Sequence, residues 1–233
     1  MNLIYERNYS EIDKRISDCQ MGGRRQKSSK NNIFILNSII HDVMLKNAKP
    51  VVLQFYDYSQ MFDSINLNEA ISDIFDTGLD NDSLGLIYKS NSEVSMAVKT
   101  PHGLTDRHIV KNKILQGDKF GSLLASVQVD KIGQACMQAG YSYLYKNEHP
   151  VGFLGMIDDI VGITEAGYKA SQLNTFMNVK TAEKNLQFGP SKCEYMIVGR
   201  KSEHTTQSKL KVDHWVKEHK EDNLIEYYGG RLK

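Results

Sequence analysis

The chain has little of what staples or anchors a protein. Three cysteines in 233 residues, Cys19, Cys136 and Cys193, are odd in number and far apart, so neither a disulfide framework nor a zinc site is indicated. That usage fits a reducing, intracellular compartment, cytoplasm or nucleus. No apolar run approaches the ~20 residues that span a bilayer, and the stretch Met1 to Arg7 lacks the hydrophobic core of a signal peptide. A soluble protein without a membrane partner is expected. The net charge is only +1, short of the basic excess usual in proteins that neutralise phosphates. Histidine is scattered: His41, His102, His108, His149, His204, His214 and His219 show no ligand spacing, and the last two, five apart, fall on different helix faces. The single tryptophan, Trp215, reads as packing.

What remains is the composition of an ordinary globular domain, 40% hydrophobic and 24% charged, long enough for one core or one core and a fragment. Charge is uneven along it. Between Met21 and Pro50 six basic residues, Arg24, Arg25, Lys27, Lys30, Lys46 and Lys49, face one acid, Asp42. Any basic face starts there.

Periodicity places the elements. A helix is expected through Ser10–Ser17, then a flexible basic stretch Gly22–Lys30, then a helix from Asn32 to Ala48 whose Ile33, Leu36, Ile39, Ile40, Val43 and Leu45 form a buried stripe. The nearly all-apolar Val51–Asp57 reads as a strand buried on both faces that ends in an aspartate. Helices follow over Leu67–Thr77 and Ser83–Tyr88, strands over Val94–Thr100 and His108–Leu115, and a long helix from beyond Gln116–Gly117 to about Gln138. A hairpin over Val151–Ile163, a helix over Gly167–Leu186 with Leu173, Phe176, Val179, Ala182 and Leu186 on one side, a strand over Lys192–Val198 and a polar loop from Gly199 to Lys211 complete the reading.

The hairpin carries the chemistry. Asp158 and Asp159 stand between its two apolar runs. Aspartate is a favoured turn residue, so the pair alone is consistent with a plain hairpin turn. A second apolar strand that also ends in aspartate changes the argument. Phosphoryl transfer by two magnesium or manganese ions requires carboxylates from separate elements to converge on metals about 3.5 to 4 Å apart. Asp57 and Asp158 would bridge the ions, with Asp159 a weaker third. The competing role for Asp57 is an ion pair or a helix cap near Asn66.

Six segments in order, Gln20–Ser29, Phe55–Ile65, Leu115–Asp118, Met156–Asp159, Leu186–Lys192 and Tyr227–Gly230, resemble the motifs of the reverse transcriptases of non-long-terminal-repeat retrotransposons. The resemblance implies an α/β polymerase palm, a small mainly antiparallel sheet with helices packed on one face. It implies partial fingers over 1–49, the palm over 50–200, and over 201–233 a loop and the start of the primer grip. Asp57, Asp158 and Asp159 match the metal-binding aspartates, and Lys192 the lysine that serves the leaving pyrophosphate. Phe62 matches the bulky gate beneath the incoming sugar, and Asp63 a structural partner that caps the next helix. Gln116 and Gly117 match the pair lying against the templating base, with a simple strand-to-helix turn as the other reading. Arg24 and Arg25 match a phosphate-contacting fingers segment or a solvated loop, and Tyr228 and Gly229 the primer grip.

The implied activity is RNA-directed DNA synthesis: an RNA template, a DNA primer and deoxynucleoside triphosphates as partners, and two Mg2+ or Mn2+ ions as cofactors. The rest of the fingers, a thumb and an endonuclease would belong to a longer polyprotein. Leu115 departs from the family's proline, Gly121 and Ser122 from its Ser-Pro, Met156 from its aromatic residue and Ile157 from its small alanine. These departures leave open a truncated, non-catalytic remnant or a recruited palm that binds RNA or a partner. A palm-fold nucleotidyl cyclase is a third reading, without an account of Phe62.

Overall fold

The computed structural model describes residues 2–45, 49–76, 78–111, 113–114, 117, 119–199 and 226–231. Helix α1 (Asn2–Asp13) and helix α2 (Ser29–Leu45) precede strand β1 (Val51–Tyr56). A one-turn helix α3 (Met61–Ser64) leads to α4 (Leu67–Phe75) and α5 (Asn81–Ser92). Four short strands follow, β2 (Glu93–Met96), β3 (Lys99–Thr100), β4 (Gly103–Leu104) and β5 (His108–Lys111). The long helix α6 (Lys119–Gln138) comes next, then β6 (Tyr143–Tyr145), β7 (His149–Val151), β8 (Phe153–Met156) and β9 (Asp159–Glu165). Helix α7 (Tyr168–Glu183), β10 (Glu194–Gly199) and β11 (Glu226–Arg231) close the order.

The central sheet has the order β11-β10-β1-β9-β8, and every neighbouring pair is antiparallel. Strand β1 lies in the middle, which is why its sequence is nearly all apolar. Val51 and Leu53 look toward one face, where they pack with Ile39 and Val43 of α2, Leu154, Ile163 and Val198. Tyr56 looks the other way, into a larger core with Phe153, Ile160, Leu123 and Leu124 of α6, and Leu173 and Met177 of α7. Gln54, also buried, donates to the Ala170 carbonyl at 2.7 Å and accepts from the Tyr56 hydroxyl at 2.5 Å, tying β1 to α7. A strand apolar on both sides demands cover on both. The expected antiparallel sheet with helices is therefore joined by one feature more, α2 against the second face.

The boundaries differ from the sequence reading where a buried partner overrides local pattern. Helix α1 runs over Asn2–Asp13 rather than Ser10–Ser17, and turns Tyr5, Tyr9 and Ile12 inward. In α2 only Ile39 and Val43 of the expected stripe are fully buried, while Ile33 is 56% and Leu45 62% exposed. The strands expected over Val94–Thr100 and His108–Leu115 are shorter: β2 pairs with β5, and the chain between them turns back through the small β3–β4 hairpin. Helix α7 buries Ala170, Leu173, Met177 and Thr181, whereas Val179 and Ala182 of the expected face are exposed. Leu173→Ala should therefore lower unfolding free energy by about 2–5 kcal/mol. Val179→Ala should stay within about 0.5 kcal/mol. Urea unfolding of the two variants checks the assignment, and comparable losses would contradict it.

Candidate active site

Asp57 follows directly on β1, and the β8–β9 turn brings Asp158 and Asp159 to the same end of the sheet. Pairing of β1 with β9 runs Val51↔Glu165 through Tyr56↔Ile160, and Asp57 and Asp159 adjoin that last pair. Met156 pairs with Asp159, which leaves Ile157 and Asp158 as the two-residue turn. Three carboxylates at one end of the sheet crowd negative charge. Accordingly the Asp159 carboxyl is pushed above the usual range, first by burial and then by the charges of Asp158 and Asp57, with Lys192 acting in the opposite sense.

Lys192 arrives from the other side. The segment after β1 runs beside the loop after α7: Ser59 N donates to the Gln187 carbonyl at 2.8 Å, and Gly189 N to the Asp57 carbonyl at 2.9 Å. Tyr58 stacks on Phe188 with ring centroids 4.7 Å apart. This seam places the Lys192 ammonium 3.0 Å from Asp57 Oδ1. The ion pair foreseen as one role of Asp57 is thus present. Its side chains are 65% and 36% exposed, and ion pairs so open to water contribute only about 0–1 kcal/mol. Such a pair yields readily to a divalent cation.

The donors suit a hard cation such as Mg2+ or Mn2+, which prefers carboxylate oxygens. The Asp159 carboxyl is raised first by burial and then by the charges of Asp158 and Asp57, and a cation here would offset those two charges. Among the described residues, no three carboxylate, histidine or cysteine side chains stand close enough to hold an ion without adjustment. The carboxylates fit the ion in kind, and Asp57 is paired with Lys192.

The remaining candidates are distributed as follows. Phe62 lies on α3, five residues beyond Asp57, partly buried against the main core. The cap of α4 is Asn66, whose side chain accepts from Asn68 N; Asp63, expected to cap it, instead offers its backbone carbonyl to Lys113. Gly117 takes a φ of 90°, a left-handed backbone, in the turn before α6, while Gln116 lies outside the described residues. Tyr228 and Gly229 pair with Ile197 and Met196 at the edge of the sheet.

Arg24 and Arg25 part company. Arg25 is half-exposed, pairs with Glu6, and lies 4.5 Å from the centre of the Tyr9 ring. Arg24 is 5% exposed, and its guanidinium is spent on the Asp13 carboxylate (2.7 Å) and on the carbonyls of Ser17 (2.6 Å) and Gln20 (3.0 Å). The stretch expected to be a flexible basic loop is folded inward at this arginine, because five donors in a fixed fork match the carbonyls of a tight turn. Gln20, which opens the first quoted motif, received no role from the sequence, yet it is fully buried and reaches the aspartate turn.

Comparison with known proteins bears on the family and the fold. The family model described as reverse transcriptase (RNA-dependent DNA polymerase) matches residues 1–224. The chain belongs to the reverse transcriptase family. Reverse transcriptases generally use divalent metals, in keeping with the donors above. Among solved structures, the apo telomerase of Candida tropicalis truncated from its C-terminal domain superposes with a TM-score of 0.62 at 12% identity, over 84% of this chain and 40% of that one. Telomerase from Candida albicans in complex with a TWJ fragment of telomeric RNA gives 0.63 at 13% identity, over 88% and 35%. The corresponding complex from Candida tropicalis gives 0.63 at 11%, over 83% and 33%. The likeness is one of fold, and this chain spans 33–40% of the length of those telomerases. A search of the curated proteins gave no match. Among the described residues no helix is long and apolar enough to cross a membrane.

Proposed function

We propose that this chain is the palm and partial fingers of a retrotransposon reverse transcriptase of the non-long-terminal-repeat kind, adding deoxynucleotides to a primer 3′-hydroxyl on an RNA template. The observation that carries the proposal is that β1 and the β8–β9 turn bring Asp57, Asp158 and Asp159 to one end of the sheet. The retrotransposon assignment rests on the six ordered motifs. In this reading residues 1–49 are fingers, 50–200 palm, and 201–233 the loop and start of the primer grip. A longer polyprotein, acting inside the cell, supplies further fingers, a thumb and an endonuclease.

Asp57, Asp158 and Asp159 would hold the cations. Two divalent ions, when bound, supply Lewis-acid activation of the attacking hydroxyl and charge neutralisation on the leaving pyrophosphate. The chain's own contribution is placement. The strand register fixes the carboxylates before substrate arrives. Once released from Asp57, Lys192 can donate a proton or a positive charge to the departing phosphate. Phe62 lies beneath the sugar, Gln116 and Gly117 lie against the templating base, Arg25 faces phosphate, and Tyr228 and Gly229 meet the primer.

A second reading is favoured by the Asp57–Lys192 ion pair, which neutralises one carboxylate without metal as a non-catalytic palm would. Primer extension separates the two. With Mg2+ or Mn2+ at low salt on a poly-ribonucleotide template, this chain, or the same chain lengthened at both ends, should extend a DNA primer with deoxynucleotides. Failure of both forms would leave the non-catalytic reading standing.

A further inference from the structure

We infer that Gln20 is a positioning residue whose carboxamide clamps the strained turn carrying Asp158, so that the amino-terminal segment sets the geometry of the metal-binding carboxylates. The inference rests on the proposed role of Asp158. Its starting point is Ile157, which has a φ of 62°. A β-branched side chain in the left-handed region is an outlier, because its Cβ crowds the following carbonyl. Such strain persists only where surrounding structure imposes it, and it concentrates at functional sites.

The surroundings that impose it are on the far side of the sheet's edge. Cys19–Met21 runs along β8 as an extra short pairing: Gly155 N donates to the Cys19 carbonyl and Met21 N to the Gly155 carbonyl, both at 2.8 Å. Gln20 is thereby held with its side chain under the turn and no solvent exposure. Its Oε1 accepts from Ile157 N at 3.0 Å and from Gly22 N at 2.8 Å, while Nε2 donates to the Ile157 carbonyl at 3.3 Å. Both backbone polar groups of the turn residue are satisfied by one carboxamide, the side chain that offers a donor and an acceptor side by side.

The clamp is itself anchored. Gly22 closes over the turn so tightly that a Cβ there would lie 2.0 Å from Ile157 N, which glycine alone avoids. Its carbonyl accepts from Ser126 Oγ of α6 at 2.9 Å. Arg24, with no outward reach, holds the Gln20 carbonyl and ties it to Asp13 at the end of α1. A continuous set of bonds thus runs from α1 through Arg24 and Gln20 to Ile157, one residue before Asp158. Side chains that orient the ligands of a metal without touching it typically change its affinity by about 10–100-fold when lost.

The test uses the whole chain and two readouts, Mn2+ affinity by electron paramagnetic resonance and amide hydrogen exchange at Ile157 by NMR. In the unmodified chain the Ile157 amide should exchange as slowly as the interior amides of β9; exchange at the rate of an exposed turn would overturn the clamp, whatever any variant does. Gln20→Met, close in shape but without the carboxamide, should weaken Mn2+ binding about tenfold and speed exchange at Ile157. Adding Ile157→Gly, which removes the strain, should restore most of the lost affinity. The metal reading is judged separately by Asp158→Asn. If Asp158→Asn abolishes Mn2+ binding while Gln20→Met changes neither readout, the metal site stands and the clamp is wrong. If Asp158→Asn leaves Mn2+ binding unchanged, the metal reading falls and the clamp is decided by exchange at Ile157 alone.

Discussion

Asp158→Asn should cut metal-dependent primer extension by about a thousandfold or more while leaving the fold in place. The magnitude follows from what the carboxylate supports: Lewis-acid stabilisation by a bound ion amounts to several kcal/mol of transition-state charge, and each ~1.4 kcal/mol is a factor of ten in rate. Asparagine keeps the size and one acceptor of aspartate but not its charge. The fold should not suffer, because Asp158 sits in a turn at the tip of the hairpin and not in the core. Removing one of the three carboxylates takes away one of the two charges that add to burial in raising the Asp159 carboxyl. The unfolding midpoint in urea should hold or rise slightly. Asp159→Asn should cost less, as befits the third ligand. Undiminished extension by Asp158→Asn would remove the site assignment altogether.

How much of this was legible beforehand depends on whether a residue's partner is near it in sequence. Strand β1 and the Asp158–Asp159 hairpin could be read directly, since a short run apolar on both faces and a turn between two such runs are local patterns. The buried face of α7 could not, because Met177 and Thr181 are selected over Val179 and Ala182 by the position of α6 and the sheet. The Asp57–Lys192 ion pair spans 135 residues and depends on the seam between the Asp57 turn and the Phe188 loop.

Arg24 shows the limit most clearly. Its sequence context, glycines and other bases, is that of a phosphate-binding loop, yet its fork is filled by Asp13 and two carbonyls. Gln20 gave still less warning, since its partner Ile157 lies 137 residues away. The signal that was available is the departure at Ile157 itself. A bulky residue beside paired aspartates, where the family has a small one, marks a turn that needs outside support.

Phe62→Val should admit ribonucleotides, lowering discrimination against them by about 10–200-fold, the range that one or two methyl-sized groups make in a close-fitting site. The argument is steric. Residue 62 sits on a one-turn helix that starts after the left-handed Gln60 and whose neighbour Met61 is buried, and in the proposed reading it lies beneath the incoming sugar. If the proposed role holds, the ring excludes the hydroxyl by contact, and valine leaves a space for it. Part of the Phe62 side chain also packs against the main core. Some loss of stability is therefore expected, and valine is preferred to alanine because it retains more of that contact. The measurement is kcat/KM for a deoxynucleotide and its ribonucleotide counterpart on the same primer-template, in the unmodified chain and in Phe62→Val. Selectivity should fall chiefly through a gain with the ribonucleotide. An equal loss with both sugars would show that the ring supports the fold and does not gate the sugar.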